Sequence, residues 1–247
     1  MITEAERLRS IQRSTDAFTF DVLRGRGIKP SWRCLELGAG AGSVAHWLAE
    51  QCPDGEVLAV DIDTGVFAPS DAPNLVVERA DITSTDFAPR RFDLVHARFV
   101  LCHLAERDQV VERAASWLAP GGWLVVEEPY LLEAGSSPFP VVRRIMAAYQ
   151  DHCSASGSAM TWARGLPAAL LRSGLSDVDC TGNLGRMGGL SADRWRPLID
   201  RVAPELIASG ALAEADVTEF HELLGDAAFL DVPQVTLSVW GQSSAPS

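Results

Sequence analysis

Residues 36–43 read ELGAGAGS and join a short apolar stretch, RCLEL (33–37), to a helical one, SVAHWLAEQ (43–51). Glycines allow a sharp turn after a strand and let a ligand approach the main chain closely. The free N–H groups at the start of the following helix point at the same place and favour a negatively charged group there. The stretch predicts a strand–loop–helix unit that holds a nucleotide-like ligand, although a plain glycine-rich turn would share its composition.

Further strands and helices alternate along the chain after this unit. Four more apolar stretches predict strands: EVLAVD (56–61), NLVVERA (74–80), FDLVHA (92–97) and GWLVVEE (122–128). The helical stretch AERDQVVERAASWLA (105–119) ends at Pro120-Gly121-Gly122, a strong helix stop. Such alternation predicts a parallel sheet with right-handed crossovers, covered by helices on both faces. Ligands of these sheets bind at the carboxyl ends of the strands.

Two aspartates stand at such strand ends. Asp61 ends the second strand, just over 20 residues beyond the glycine loop, where a carboxylate can accept hydrogen bonds from both hydroxyls of a ribose. Asp81 ends the third strand and is followed by Ile82, a pair suited to an adenine amine and an adenine ring. Either aspartate alone would more often be a helix cap or a solvated loop residue. Together, the glycine loop, Asp61 and the Asp81-Ile82 pair, which stand at three successive strand ends, indicate a nucleoside site.

These motifs resemble those of the class I S-adenosylmethionine-dependent methyltransferase superfamily, and most of all its actinobacterial small-molecule, natural-product type. The resemblance covers residues 33–128 densely: ELGAGAG, VDID, RADI, FDLVHARFVLCHL and LAPGGWLVVEEP. It implies an α/β fold with a Rossmann-like, mostly parallel seven-stranded sheet, helices on both faces and a helical lid. The last strand, QVTLSVWG (234–241), would run antiparallel between the fifth and sixth.

The resemblance also implies which residues bind S-adenosylmethionine. The methionine part would contact the glycine loop, the ribose Asp61, and the adenine Asp81 with Ile82; the sulfonium would lie near Ala97 and Arg98. The predicted cofactor-binding set is Glu36, Gly38, Ala39, Gly40, Asp61, Ile62, Asp81, Ile82, Ala97 and Arg98.

The remaining segments predict how the acceptor is held. We divide the chain into an N-terminal helical cap segment (1–30), a cofactor-binding core (31–128), an inserted lid and substrate segment (129–162) and a C-terminal completion of the sheet with extra helices (163–241). Residues 1–25 and 129–162 would together cover the strand ends. Phe18, Tyr130, Tyr149 and Trp162 are the predicted substrate residues, although Phe18 could equally complete the core.

Histidines are the candidates for a general base, because their pKa lies near neutral pH. His152 shares the inserted helix with Tyr149 and is the predicted base, with a surface position as the alternative. His103 is expected to pack or cap beneath the cofactor, and His96, inside a buried strand, to be a satisfied core histidine.

The predicted function is methyl transfer to a small molecule, at an oxygen of a secondary metabolite; N- or C-methylation and a non-catalytic cofactor-binding partner subunit are the alternatives. A nicotinamide oxidoreductase is disfavoured, because the dinucleotide-binding glycine motif has Gly or Ala where Ser43 stands here. Such an enzyme also has no need for Asp81. HARF (96–99) stands where amine methylases carry an Asn/Asp-Pro-Pro-Tyr signature, so an enzyme of that class is not expected. The same residues replace the first carboxylate of the metal-binding triad of catechol-type methyltransferases, so no metal is expected.

Composition constrains the partners and the location. The net charge of −12 and the single lysine, Lys29, argue against nucleic-acid binding. No apolar run approaches the roughly 20 residues of a membrane span, and the charged start MITEAERLRS differs from a secretory signal. We expect a cytoplasmic protein without membrane or nucleic-acid partners, and a homodimer is one possibility. The acceptor itself cannot be read from these residues.

Overall fold

The computed structural model describes residues 3–189 and 194–244 as one seven-stranded sheet surrounded by helices. The strands are β1 Arg33–Leu37, β2 Glu56–Asp61, β3 Leu75–Arg79, β4 Phe92–Arg98, β5 Leu118–Leu131, β6 Ser176–Gly188 and β7 Leu230–Gln242. The helices are α1 Glu4–Arg24, α2 Ser43–Gln51, α3 Arg107–Trp117, α4 Pro140–Ala155, α5 Leu166–Arg172, α6 Trp195–Ala208 and α7 Glu214–Leu224.

The strand order is β3-β2-β1-β4-β5-β7-β6. The first five strands run parallel, and β7 pairs antiparallel with both β5 and β6. β7 is the last strand along the chain, and it completes the sheet by lying between β5 and β6. The predicted fold class, including the single antiparallel strand between the fifth and sixth, is confirmed.

Alternating residues of each strand supply cores on opposite faces of the sheet. On one face, Leu35 and Leu37 of β1 pack in a cluster that includes α3 and α5. On the other face, Cys34 of the same strand packs with residues of α1 and α2. A third cluster joins α4, α6 and α7 to the ends of β5 and β6. None of the described helices is both long and apolar enough to cross a bilayer.

The sequence predicts that helices alternate with strands, but, within the residues that the structure describes, no α-helix directly precedes or follows β3. The connections 62–74 and 80–91 contain only short turns, and Pro69, Pro73 and Pro89 lie within them. Asp63 caps the first of these turns, since its carboxylate accepts a hydrogen bond from the N–H of Gly65 at 2.9 Å. Without a covering helix, the edge strand β3 leaves its valines partly exposed to solvent.

Candidate functional site

The glycine loop between β1 and α2 forms one wall of a cavity of about 440 Å³. Gly38 and Gly40 have φ angles of +65° and +54°, a backbone region that side chains strongly disfavour. A Cβ on Gly38 would come within 2.6 Å of Val100, so the loop also needs glycine for close packing against the residues after β4. The loop presents its main chain to the cavity, as the sequence predicts.

Asp61 stands beside this loop at the end of β2. One of its carboxylate oxygens accepts a hydrogen bond from the N–H of Gly40 at 2.8 Å, and the other accepts from the N–H of Asp63 at 3.0 Å. These bonds fix the carboxylate on the cavity wall and leave lone pairs for a ligand's hydroxyls. Ile62, 63% exposed, adds an apolar side chain to the same wall. The residues present therefore fit a ribose with an attached base.

A buried chain of ionisable groups lies beneath the glycine loop. Glu36 of β1 lies 2.6 Å from Nδ1 of His96 on β4, and Glu127 of β5 lies 3.6 Å from its Nε2. The two carboxylates outweigh the opposing effect of burial and raise the pKa of His96 to about 9. His96 is thus a core histidine as expected, but only its Nδ1 is within hydrogen-bond distance of a carboxylate; its Nε2 has no hydrogen-bond partner among the described residues.

This chain of groups continues to α1. Glu127 accepts a hydrogen bond from the hydroxyl of Thr19, and Arg98 donates to Thr19 at 2.8 Å. Arg98 also donates to Asp16 at 2.9 Å and to the hydroxyl of Ser43, at the start of α2, at 3.2 Å. Arg98 lines the cavity as well. One arginine therefore ties α1 to the glycine-loop helix and to the floor of the site.

The turn after β4 forms the next part of the wall and carries Phe99, Val100 and His103. Glu128, fully buried within β5, accepts hydrogen bonds from the N–H groups of Val100 at 3.2 Å and Leu101 at 2.7 Å. Burial raises the pKa of Glu128 to about 7, against the lowering effect of these bonds. Glu128 thereby fixes the turn that follows β4.

His103 faces the cavity from this turn. Its Nδ1 lies 2.9 Å from the hydroxyl of Ser158, and the residue, which is exposed, lines the cavity. Desolvation by the surrounding protein lowers the pKa of His103, and the positive charges of Arg7, Arg201 and Arg107 lower it further. A neutral imidazole is therefore favoured near pH 7, with one ring nitrogen able to accept a proton.

The opposite wall comes from residues far apart in the chain. Leu8 and Ile11 of α1, Tyr149 of α4, Leu198 of α6 and Gln234 of β7 all line the cavity. The predicted cover of 1–25 and 129–162 thus contributes to the walls, together with parts of 163–241 that the sequence had left out of the site.

The structure brings together only some of the predicted residues. The cavity includes Glu36, Gly38, Ala39, Gly40, Asp61, Ile62, Arg98 and Tyr149. Ala97 and Ile82 are buried in the core, and the carboxylate of Asp81 accepts from the N–H and hydroxyl of Thr83. Their cofactor roles stay predictions.

The remaining predicted acceptor residues lie outside these walls. Tyr130 and Trp162 pack against the core cluster around α3 and α5, and the indole N–H of Trp162 donates to Asp108. Phe18 packs near α2 and lines a second cavity. His152 lies 3.7 Å from Glu205 and is not part of either cavity's walls. Tyr149 lines the cavity, whereas His152, one turn further along α4, lies beside Glu205 of α6.

Sequence reasoning missed several residues of the site. Arg194 and Gln234 line it, and nothing local distinguishes them; Phe99 lies within the FDLVHARFVLCHL motif but was not among the predicted site residues. Glu127-Glu128 did carry a signal, since two consecutive glutamates ending an apolar strand are unusual in a buried position. Among the described residues no three His, Cys, Asp or Glu side chains converge as a metal site would require.

Comparison with known proteins identifies the central part of the chain. Residues 35–124 match a methyltransferase domain family. Methyltransferase str3 of Strobilurus tenacellus is 40% identical over 103 residues, which cover 41% of this chain and 37% of that protein. A trans-aconitate 2-methyltransferase of Methylobacterium radiotolerans is 31% identical over 199 residues, covering 78% of this chain and 63% of the relative.

Solved structures agree in fold. Phosphoethanolamine N-methyltransferase 2 of Haemonchus contortus, determined with S-adenosylhomocysteine, superposes with a TM-score of 0.61 at 16% identity, covering 93% of this chain and 53% of the other. The chain spans about two fifths of the fungal relatives' length. The match of residues 35–124 agrees with the prediction of a methyltransferase domain. The structural neighbour that holds S-adenosylhomocysteine shares the fold of this chain. The relatives named here are fungal and bacterial, and they do not show a special closeness to actinobacterial enzymes.

Proposed function

We propose that the protein transfers a methyl group from S-adenosylmethionine to an oxygen of a small molecule. The observation that carries this proposal is one continuous cavity, with the glycine loop and Asp61 on one side and side chains of α1, α4 and α6 on the other. Its volume of about 440 Å³ lies within the range of small-molecule sites, roughly 300–1,000 Å³. Such a cavity can hold a donor and an acceptor next to each other.

The cofactor is held by the residues of the first wall. Gly38, Ala39 and Gly40 would contact the methionine part through their main chain, Asp61 would accept from the ribose hydroxyls, and Ile62 would pack on the adenine. When bound, S-adenosylmethionine supplies an electrophilic methyl group on a sulfonium. Arg98 contributes by keeping α1 joined to α2, which closes the site towards solvent.

The protein's chemical role is to orient the acceptor and to take up its proton. Holding two reactants in line supplies much of the rate of such a transfer. We propose His103, rather than the sequence-predicted His152, as the general base for an acceptor hydroxyl, because it faces the cavity and its pKa is lowered. Tyr149 would contact the acceptor from α4.

Natural-product chemistry in the cytoplasm remains part of this proposal. It is supported by the resemblance of the motifs and by the fungal methyltransferases that share 34–40% identity with the core. N- and C-methylation are the competing outcomes, since relatives named for both reactions also match. A regulatory subunit that binds the cofactor without turnover is the other alternative.

The test is an assay of the purified chain with S-adenosylmethionine carrying a trideuterated methyl group and a panel of hydroxylated small molecules. Formation of S-adenosylhomocysteine together with a product heavier by one trideuteromethyl group would support the proposal. Fragmentation of that product identifies whether oxygen, nitrogen or carbon was methylated. Cofactor binding without any acceptor-dependent S-adenosylhomocysteine would instead indicate the non-catalytic alternative.

A further inference from the structure

Arg194, immediately before α6, carries a buried guanidinium whose hydrogen-bonding capacity is incompletely used in the part of the chain that the structure describes. It is 4% exposed, and its Nη2 forms no hydrogen bond with the residues of 3–189 and 194–244. Its described neighbours include the rings of Phe99 and Trp195, whose centroids lie 5.5 and 5.2 Å from the guanidinium carbon, and the phenol of Tyr149, which interacts with its charge. Burial lowers the pKa of Arg194 to about 10. A buried charge left unpaired is costly, so such a group points to a missing anion.

Arg194 forms part of the walls of two cavities. The first is the cavity of the glycine loop. The second, of about 380 Å³, lies between α1 and β6 and also includes Arg13 and Arg186. No Asp or Glu of the described residues lines this second cavity, although the chain as a whole carries a net charge of −12. The region around Arg194 is thus positively charged within an acidic protein.

The position of Arg194 separates it from the predicted cofactor contacts. Its Nη2 lies 3.1 Å from where a Cβ of Gly185, on β6, would stand. Asp61 lies on β2, five strand spacings away in the order of the sheet. At about 4.8 Å per spacing, the two strands are roughly 24 Å apart. The guanidinium of Arg194 reaches back from β6 to the ring of Phe99, directly after β4, and so faces the cavity from the side opposite Asp61.

We propose that Arg194 binds an anionic oxygen group of the acceptor, a carboxylate or a phosphate. This inference rests on the proposed function, which defines the acceptor. A guanidinium presents parallel N–H donors that match two oxygens of either group, and it is less strongly hydrated than an ammonium. Arg13 and Arg186 attract a second negative charge into the adjoining cavity. The acceptor class is thereby narrowed to hydroxylated carboxylic acids or phosphoesters.

Calorimetry with simple anions tests this site without knowledge of the acceptor. Citrate and inorganic phosphate are titrated, at constant ionic strength, into the protein saturated with S-adenosylhomocysteine. We expect at least one probe to bind with a Kd below about 1 mM, and Arg194→Met to weaken it at least about tenfold, as loss of a charge-assisted hydrogen bond implies. Arg172→Met, an exposed arginine at the end of α5, is the matched control and should change the Kd less than about twofold.

The two probes distinguish the two anions, since preference for citrate indicates a carboxylate site and preference for phosphate a phosphoester site. Absence of binding of both probes to the wild type, or equal binding to Arg194→Met, would overturn the inference. So would weaker S-adenosylhomocysteine binding by Arg194→Met, because the guanidinium would then serve the donor. If the wild type does not bind S-adenosylhomocysteine at all, the proposed function fails, and the anion site is judged separately by titrating the free protein.

Folding of the variant is followed in the same samples by thermal unfolding. Because Arg194 is an uncompensated buried charge, Arg194→Met is expected to unfold at or above the wild-type temperature. Should it not fold, Gly185→Ala replaces it: the added methyl would lie 3.1 Å from the guanidinium and 3.2 Å from the main chain of Gln234, displacing the former. Weaker probe binding by Gly185→Ala supports the site, and unchanged binding contradicts it.

Discussion

The two sides of the cavity differ in how the chain builds them. The donor side consists of the glycine loop and Asp61, which come from neighbouring strands and from a stretch of fewer than 30 residues. The acceptor side joins α1, α4, α6 and β7, which are spread over nearly the whole chain. Local backbone requirements therefore determine the donor side, whereas packing between distant elements determines the acceptor side. Substitutions should separate the two sides by their effects on cofactor binding and on turnover.

The largest expected effect is on turnover, at His103. Replacing His103 by Gln removes the proposed base while keeping a polar side chain, and should lower kcat by about 10²–10⁴-fold with S-adenosylhomocysteine affinity unchanged. Steady-state kinetics with a hydroxyl acceptor, alongside calorimetry, measure both quantities. His152→Gln is the comparison variant, since His152 lies outside the cavity. A larger loss of kcat in His152→Gln than in His103→Gln would restore the base predicted from sequence.

The next effect falls on the donor side, at Gly38. Gly38→Ala places a Cβ 2.6 Å from Val100 at a φ of +65° and should weaken cofactor binding by about 2–3 kcal/mol through strain. Gly27→Ala is matched, because Gly27 has a φ of +73° but nothing within 4 Å of its added Cβ. Calorimetry with S-adenosylhomocysteine should therefore separate the two variants. Equal loss in both would mean that general destabilisation, and not the loop, is responsible.

The smallest expected effect is on the free energy of unfolding and concerns His96, the buried histidine of β4. The pKa of His96 in the folded protein, about 9, is above its unfolded value of 6.5. Its contribution to stability is therefore fully present below pH 6.5 and is lost as the pH rises through about 9. Urea unfolding at pH 6.5 and at pH 9 should show this loss in the wild type and a smaller one in His96→Gln. A His96→Gln variant with the wild-type pH dependence would mean that the imidazole is neutral between its carboxylates.

The same contrast explains what the sequence could and could not predict. The glycine loop, Asp61 and the parallel order of β1–β5 follow from local patterns, because backbone geometry and strand ends are local properties. The uncovered strand β3 did not follow, since the helices expected around it depended on a general alternation that its proline-containing connections do not keep. Arg194 and the inward side of α4 depend on which faces pack together, and no local motif records that.

The central claim is that a donor nucleoside lies against the glycine loop and Asp61. Titration calorimetry of S-adenosylhomocysteine into the wild type, Asp61→Asn and Asp63→Asn tests it most directly. We predict micromolar binding by the wild type and a loss of about 1–3 kcal/mol in Asp61→Asn because the ribose hydroxyls lose a charged acceptor. Asp63→Asn should lose less, because the Asp63 carboxylate, although it lines the cavity, is engaged by the N–H of Gly65. Binding of NADH in place of S-adenosylhomocysteine, or equal affinity in the wild type and Asp61→Asn, would contradict the claim.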